Sequence, residues 1–269
     1  MIVRRSPSLY AAVLLALGLG GISVASPPTP PPTNLRRTGD MPVAAQAQSL
    51  TAASAPALTV EEKTAGWRPL FDGESLAGWR LYGKPAGTTI GPGWRVEDGI
   101  LKKIAGIKTG DLITEQTFDN FELSWEWRIE KDGNNGIKYL VTENRPGAPG
   151  HEYQMIDDDA PKWATLHAAS RTASFYEVLP PAADRPLNPA GQWNRSRVVV
   201  RGPLVEHWLN DRLVLAYELG SPAVKAGIAQ SKFAKYPDFG QKLRGHLMLT
   251  DHGDAAEFRA IKLRELSAP

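Results

Sequence analysis

Glu126, Arg128 and Glu130 occupy alternate positions of the run Phe121-Glu122-Leu123-Ser124-Trp125-Glu126-Trp127-Arg128-Ile129-Glu130. In an extended strand such positions share one side and stand about 7 Å apart per step. Two carboxylates so placed can act as acid and nucleophile in glycoside cleavage. The group between them is a guanidinium, which grips an oxyanion in bidentate fashion and cannot serve as an acid. On the other side, Phe121, Leu123, Trp125, Trp127 and Ile129 form a surface so aromatic that a second layer must cover it. The charged row is then either a solvated sheet face, its ion pairs contributing under about 1 kcal/mol, or the floor of a site for a polar ligand. Glu126, set between two tryptophans, favours the floor.

A second cluster runs Gly150-His151-Glu152-Tyr153-Gln154-Met155-Ile156-Asp157-Asp158-Asp159. Glu152 and Gln154 share one face of an otherwise apolar strand. Buried polar groups need partners, and a sugar hydroxyl is one that both donates and accepts. Asp157 closes the strand; Asp158 and Asp159 read as a solvated loop start. His207 lies on a strand just before the tight turn Asn210-Asp211, and His252 follows Asp251 at a strand end, an arrangement that orients an imidazole. No His-x-x-x-His or EF-hand spacing occurs, so the metal is left unknown, with a divalent ion kept as an option and no cofactor certain. Gly-x-Ser-x-Gly, P-loop and dinucleotide fingerprints are also missing, which sets aside serine-nucleophile, kinase and dehydrogenase chemistry. Eight tryptophans are many for this length; most belong to a core, and one or two at a sheet rim could stack on a sugar.

These residues need rigid strands to hold them. Asp72-Gly73, Asp98-Gly99, Asp132-Gly133, Asn210-Asp211 and Gly253-Asp254 punctuate short β-forming runs, the pattern of an all-β sandwich or barrel. Residues 160–170 and 222–234 are expected to hold short helical turns, and the Pro-rich stretch 179–192 a long loop. At the N-terminus, Arg4 and Arg5 precede an uncharged stretch from Tyr10 to Ala25, which reads as a signal peptide over residues 1–25. Residues 26–60, rich in Pro, Ala and Thr, read as a disordered tether, and residues 61–267 as one folded domain. The expected location is the periplasm or the exterior, with no membrane span in the mature form. Lacking cysteine, the domain rests on its core alone. Without Arg4 and Arg5 the 31 basic and 29 acidic residues become equal in number, so neither nucleic acid nor an anionic membrane is an expected partner.

Eight segments in order resemble one known family. They are Leu70–Trp79, Trp94–Gly99, Asp119–Leu123, Asn134–Ile137, Glu152–Asp157, Gly191–Asn194, His207–Asn210 and Phe258–Ile261. Their order and spacing are similar to the 3-keto-disaccharide hydrolase family, over roughly residues 67–266. The chain departs from it by having Asn135 where the family reads Ser and Ala260 where it reads Asn. The resemblance implies a concanavalin A-like jelly-roll sandwich of two antiparallel sheets, with a sugar site on the concave sheet. It also implies a small carbohydrate partner, an oxidised glucoside or disaccharide. A C3 ketone acidifies the C2 proton, so a base removes it, the C1 substituent leaves, and water adds to the enone. On that chemistry His207 or Glu152 is the base, Arg128 steadies the enolate (with or without a divalent ion), and Glu126 or Asp157 donates the proton. Lys138, Tyr139, Gln154, Asn194 and His252 would contact sugar hydroxyls. A non-catalytic carbohydrate-binding module of the same fold and a laminarinase-like hydrolase are the alternatives. Arg128 speaks against the second, where an Asp would be needed between the carboxylates.

Overall fold

The computed structural model describes residues 58–269, all within the compact unit Ser49–Pro269. The expected signal peptide and all but the last three residues of the expected tether lie outside the described residues. The described residues open with helix α1 (Val60–Thr64), whose N-cap Thr59 and Glu62 form a reciprocal capping box. Thirteen strands follow: β1 (Arg68–Pro69), β2 (Trp79–Leu81), β3 (Trp94–Glu97), β4 (Ile100–Lys103), β5 (Leu112–Thr114), β6 (Phe121–Ile129), β7 (Asn134–Val141), β8 (His151–Ile156), β9 (Asn194–Arg201), β10 (Leu204–Leu209), β11 (Arg212–Glu218), β12 (His246–Leu249) and β13 (Ala256–Glu265). Helix α2 (Pro222–Gln230) starts on the N-cap Ser221 with proline in its first turn, and 3-10 turns lie at Pro161–Trp163 and Ala168–Ser170. No helix among the described residues is long and apolar enough to cross a membrane.

The strands form two antiparallel sheets. One is ordered β11-β10-β9-β6-β13-β4-β3, with β1 added on β13; the other is β2-β5-β12-β7-β8. Alternation decides what lies between them. From β6, Trp125 stacks edge-on against Tyr153 of β8 at 5.0 Å between ring centres, and its indole N–H meets the sulfur of Met155. Trp127 donates to Ser196 Oγ at 2.8 Å, Ser196 donates to the Tyr153 hydroxyl at 2.8 Å, and that hydroxyl donates to the Trp208 carbonyl at 3.1 Å. Each polar tip along this chain of rings from Trp127 to Tyr153 is thus paired, as burial requires. The result is the all-β jelly-roll sandwich expected from the sequence.

The register between β13 and β6 slips between Arg259 and Lys262, and Ala260 sits in the slip with φ of 50°. A left-handed backbone suits Asn better than Ala, because the short amide can bond locally while a bare Cβ gains nothing. The departure at Ala260 therefore leaves strain in place. Ala260→Asn is expected to stabilise the domain by about 1 kcal/mol, read as a raised denaturation midpoint.

Candidate active site on the outer face of the smaller sheet

In β7 and β8, Lys138 pairs with Glu152 and Gly136 with Gln154. Ile137, Tyr139, Tyr153 and Met155 point into the core, so Lys138, Glu152 and Gln154 belong to the outer face. The Glu152 side chain lies across Gly136. A Cβ added there would overlap Oε1 and come within 3.0 Å of Cγ and Cδ. The glycine is the gap that lets the carboxylate lie flat on the sheet.

Glu152 is almost fully buried, yet its oxygens accept no hydrogen bond among the described residues. An ammonium and an imidazole face it instead. Lys138 Nζ is 3.7 Å from Oε2 and His252 Nε2 is 3.8 Å from Oε1. Burial alone would raise its pKa; Lys138, His252 and the more distant Lys232 outweigh burial and hold it below the ordinary carboxylate value. Beside it Gln154 is buried with its side-chain oxygen Oε1 unpartnered among the described residues. A buried carboxylate whose charge partners stand beyond hydrogen-bond distance, beside a bare amide oxygen, points to a ligand rich in hydroxyl groups.

His252 is aimed from the loop that crosses from β12 in the smaller sheet to β13 in the larger one, and that loop is anchored at Asp251. The Asp251 carboxylate takes the buried Lys103 ammonium at 3.0 Å and accepts from the Thr109 and Gly110 amides at 2.7 and 2.9 Å. Burial would raise its pKa, but those amides and Lys103 lower it, keeping the anchor charged. On another side Tyr176 donates its amide to the Glu152 carbonyl at 3.0 Å, and Lys232 reaches the Tyr176 hydroxyl at 3.2 Å. Nothing in the sequence pattern ties Lys232 or Tyr176 to β8. Gly136 was visible only as the end of Asn134-Asn135-Gly136, where Asn135 now accepts from the Gly136 amide and donates to the Thr250 carbonyl. The family's serine at that position is thus replaced by a residue that ties β7 to the end of β12.

The other expected residues go elsewhere. Glu126 and Arg128 lie on the outer face of the larger sheet, with the whole core between them and Glu152. There Glu126 accepts from Arg259 Nε at 2.7 Å, and Arg128 pairs with Glu257 and stacks over Trp193. One substrate cannot touch both rows, so the expected partnership of Arg128 with Glu152 is corrected. His207 and Tyr139 are sealed in the core: His207 Nε2 bonds the Tyr139 hydroxyl at 2.8 Å, and neither is exposed. Neither can meet a sugar in this structure. Burial pushes the Tyr139 phenol well above its ordinary range.

Asp157 accepts from the Asp132 amide at 2.8 Å and lines an end cavity of about 340 Å³ with Trp127, Leu187 and Asn194. Asn194 is fully occupied: its oxygen accepts from the Asn188 amide and the Asn210 side chain, and its nitrogen donates to the Asn188 carbonyl. It shapes the loop 188–194 rather than facing Glu152. Lys138, Glu152, Gln154 and His252 are the expected residues that the fold brings together. No group of three or more His, Asp or Glu among the described residues is placed to hold a metal ion. Arg128→Ala is accordingly expected to leave turnover within about threefold of the natural protein, as for an exposed ion pair. A hundredfold loss in steady-state kinetics would return the β6 row to the site.

A model of the family described as the 3-keto-alpha-glucoside-1,2-lyase-like domain matches residues 66–264. A protein of Bacteroides thetaiotaomicron named 3-keto-disaccharide hydrolase is 32% identical over 252 residues, covering 81% of this chain and 85% of that protein. A crystal structure from Parabacteroides distasonis, described as a candidate glycosyl hydrolase, is 34% identical and superposes with a TM-score of 0.71 over 80% of this chain and 100% of that one. A second structure from that organism shares the fold at 23% identity and a TM-score of 0.58, over 74% of this chain and 99% of its own. The chain belongs to the 3-keto-alpha-glucoside-1,2-lyase-like domain family.

Proposed function

We propose that the protein cleaves 3-keto-glycosides by elimination and rehydration, with Glu152 as the base. The observation that carries this reading is the buried, unbonded Glu152 carboxylate held ionised between Lys138 and His252. A C3 ketone makes the C2 hydrogen acidic. Glu152 takes that proton, and the electron pair passes to the ketone oxygen as an enolate. The Lys138 ammonium, with the field of Lys232, opposes the new charge. The enolate then expels the C1 oxygen, which takes a proton from His252. Once the leaving group has gone, the Glu152 carboxyl exchanges its proton with solvent. Water adds to C1 of the enone and passes a proton to His252, Glu152 delivers a solvent-derived proton to C2, and a free 3-keto sugar results. Gln154 supplies an acceptor and two donors for ring hydroxyls.

The cations around Glu152 explain the choice of chemistry. Hydrolysis of an ordinary glycoside needs an acid and a base or nucleophile from paired carboxylates. Here the charges that act most strongly on Glu152 are all cationic. Such a field serves a developing enolate. It also lowers the base strength of Glu152, an expense acceptable only if the carbon acid is activated, as a ketone activates it.

The test is to incubate the protein with a disaccharide and its 3-keto form in deuterated water. Release of sugar from the 3-keto form alone, with deuterium at C2 of the product, is expected. Release without deuterium would remove the elimination route, and binding of either sugar without release would make the protein a binding module.

A further inference from the structure

Strand β8 is the last strand of the smaller sheet, so its outer edge would be bare. The segment 172–179 covers it. Thr172 Oγ1 accepts from the Ile156 amide at 3.0 Å and donates to the Ile156 carbonyl at 2.8 Å. The Ala173 amide donates to the Gln154 carbonyl at 2.9 Å, and the Tyr176 amide to the Glu152 carbonyl at 3.0 Å. The backbone of both Glu152 and Gln154 is therefore held on this side by a segment that is not a regular strand.

That segment is not relaxed. Ala173 and Glu177 have φ of 68° and 65°, left-handed values that side chains other than glycine disfavour. Something must hold it there, and from the opposite sheet Tyr217 stacks on Phe175 at 5.0 Å while a single side-chain hydrogen bond reaches the strained backbone at Ala173. His207 of β10 bonds the Ala173 carbonyl through Nδ1 at 2.9 Å. A carbonyl only accepts, so Nδ1 carries the proton and Nε2 accepts from the Tyr139 hydroxyl, which in turn accepts from Tyr217. The hydrogen-bond chain fixes the imidazole and spans the sandwich.

We infer that His207 is a positioning residue: through Ala173 it holds the edge segment that sets Glu152 and Gln154 in place. The inference rests on the reading of Glu152 as the base. Two amides separate the ring's two bonds. His207→Asn puts its nitrogen near the Nδ1 position and keeps the donor to Ala173; His207→Gln reaches the Nε2 position and keeps only Tyr139.

The experiment measures kcat and KM on a 3-keto disaccharide, the thermal midpoint, and amide exchange over residues 172–177, at a temperature where each variant is folded. Expected are similar losses of midpoint in both variants. The Gln variant alone is expected to lose about tenfold or more in kcat with KM little changed, and to exchange faster at Ala173 and Tyr176; the Asn variant is expected to stay within about threefold. Equal kcat in the two variants, or unchanged exchange in the Gln variant, overturns the inference. If the Gln variant does not fold, Thr172→Val removes the neighbouring tie of the same segment. It must then lower kcat about fivefold or more, and unchanged turnover overturns the inference. Exchange needs no substrate, so its result stands apart from whether Glu152 proves to be the base.

Discussion

Glu152→Gln is expected to lower turnover of a 3-keto disaccharide by about a thousandfold or more, near the upper range for loss of a general base. The amide keeps the shape of the side chain and its rest on Gly136, so substrate binding survives and KM changes little. What disappears is the one carboxylate in the group Lys138, Glu152, Gln154 and His252, and with it the ionised oxygen that takes the C2 proton. Gly136→Ala tests the same point without altering charge. The new methyl group would occupy the space of Oε1 and drive the carboxylate off the sheet. A hundredfold or larger loss of kcat is expected, since a misplacement of about 1 Å is enough. Thermal midpoints of both variants show whether the fold persists. Near-natural turnover in the Glu152→Gln variant, with the fold intact, would dismiss the base and leave His252 to be tested next.

The sequence told which side of each strand is polar, but not which sheet each strand joins. Alternation placed Trp125 and Trp127 in the core and Glu126 and Arg128 outside, as the structure has them. It did the same for Tyr153 and Met155 against Glu152 and Gln154. Both polar rows were therefore legible. That they face opposite directions was not, because two inner faces that pack together necessarily turn their outer faces apart, and this appears only once β6 and β8 belong to different sheets. His207 shows the limit in another way. Its strand position made it look available, and only the meeting of Tyr139, Tyr217 and Ala173 around it shows it buried. Long, strongly alternating strands were read closely, whereas β1 and β2, two and three residues long, carry too little pattern to be seen. The 3-10 turns Pro161–Trp163 and Ala168–Ser170 and the helix Pro222–Gln230 lie within the segments 160–170 and 222–234 expected to hold helical turns. Tyr176 and Lys232 reach the site by packing alone.

The domain is also expected to lose stability steeply between about pH 6.5 and 4, because two core histidines are neutral only while folded. Burial pushes His207 down to about 4, against the weaker opposite pull of its bond to Ala173. Burial, aided by Arg145 and His207, pushes His151 down to about 3. In the unfolded chain both titrate near the ordinary value of about 6.5. Below that pH the unfolded state binds up to two protons that the folded state refuses, so unfolding becomes easier as pH falls, until each folded pKa is reached. Each histidine contributes a slope of about 1.4 kcal/mol per pH unit. Two units of acidification then remove roughly 5 kcal/mol, a large part of the roughly 5–15 kcal/mol that holds a domain together.

His151 offers the cleaner test of the two. Its Nδ1 is buried without a partner among the described residues, and its ring packs against Phe175 at 4.8 Å and Phe239 at 5.3 Å. Phenylalanine supplies the same ring with no proton to lose and no unpaired nitrogen. His151→Phe should keep or raise the denaturant midpoint at pH 7.5 and flatten its decline toward pH 4.5 by about half. A decline as steep as that of the natural protein would mean that His151 meets water or a partner on acidification. The pocket formed by Phe175 and Phe239 would then have to open well before the domain unfolds.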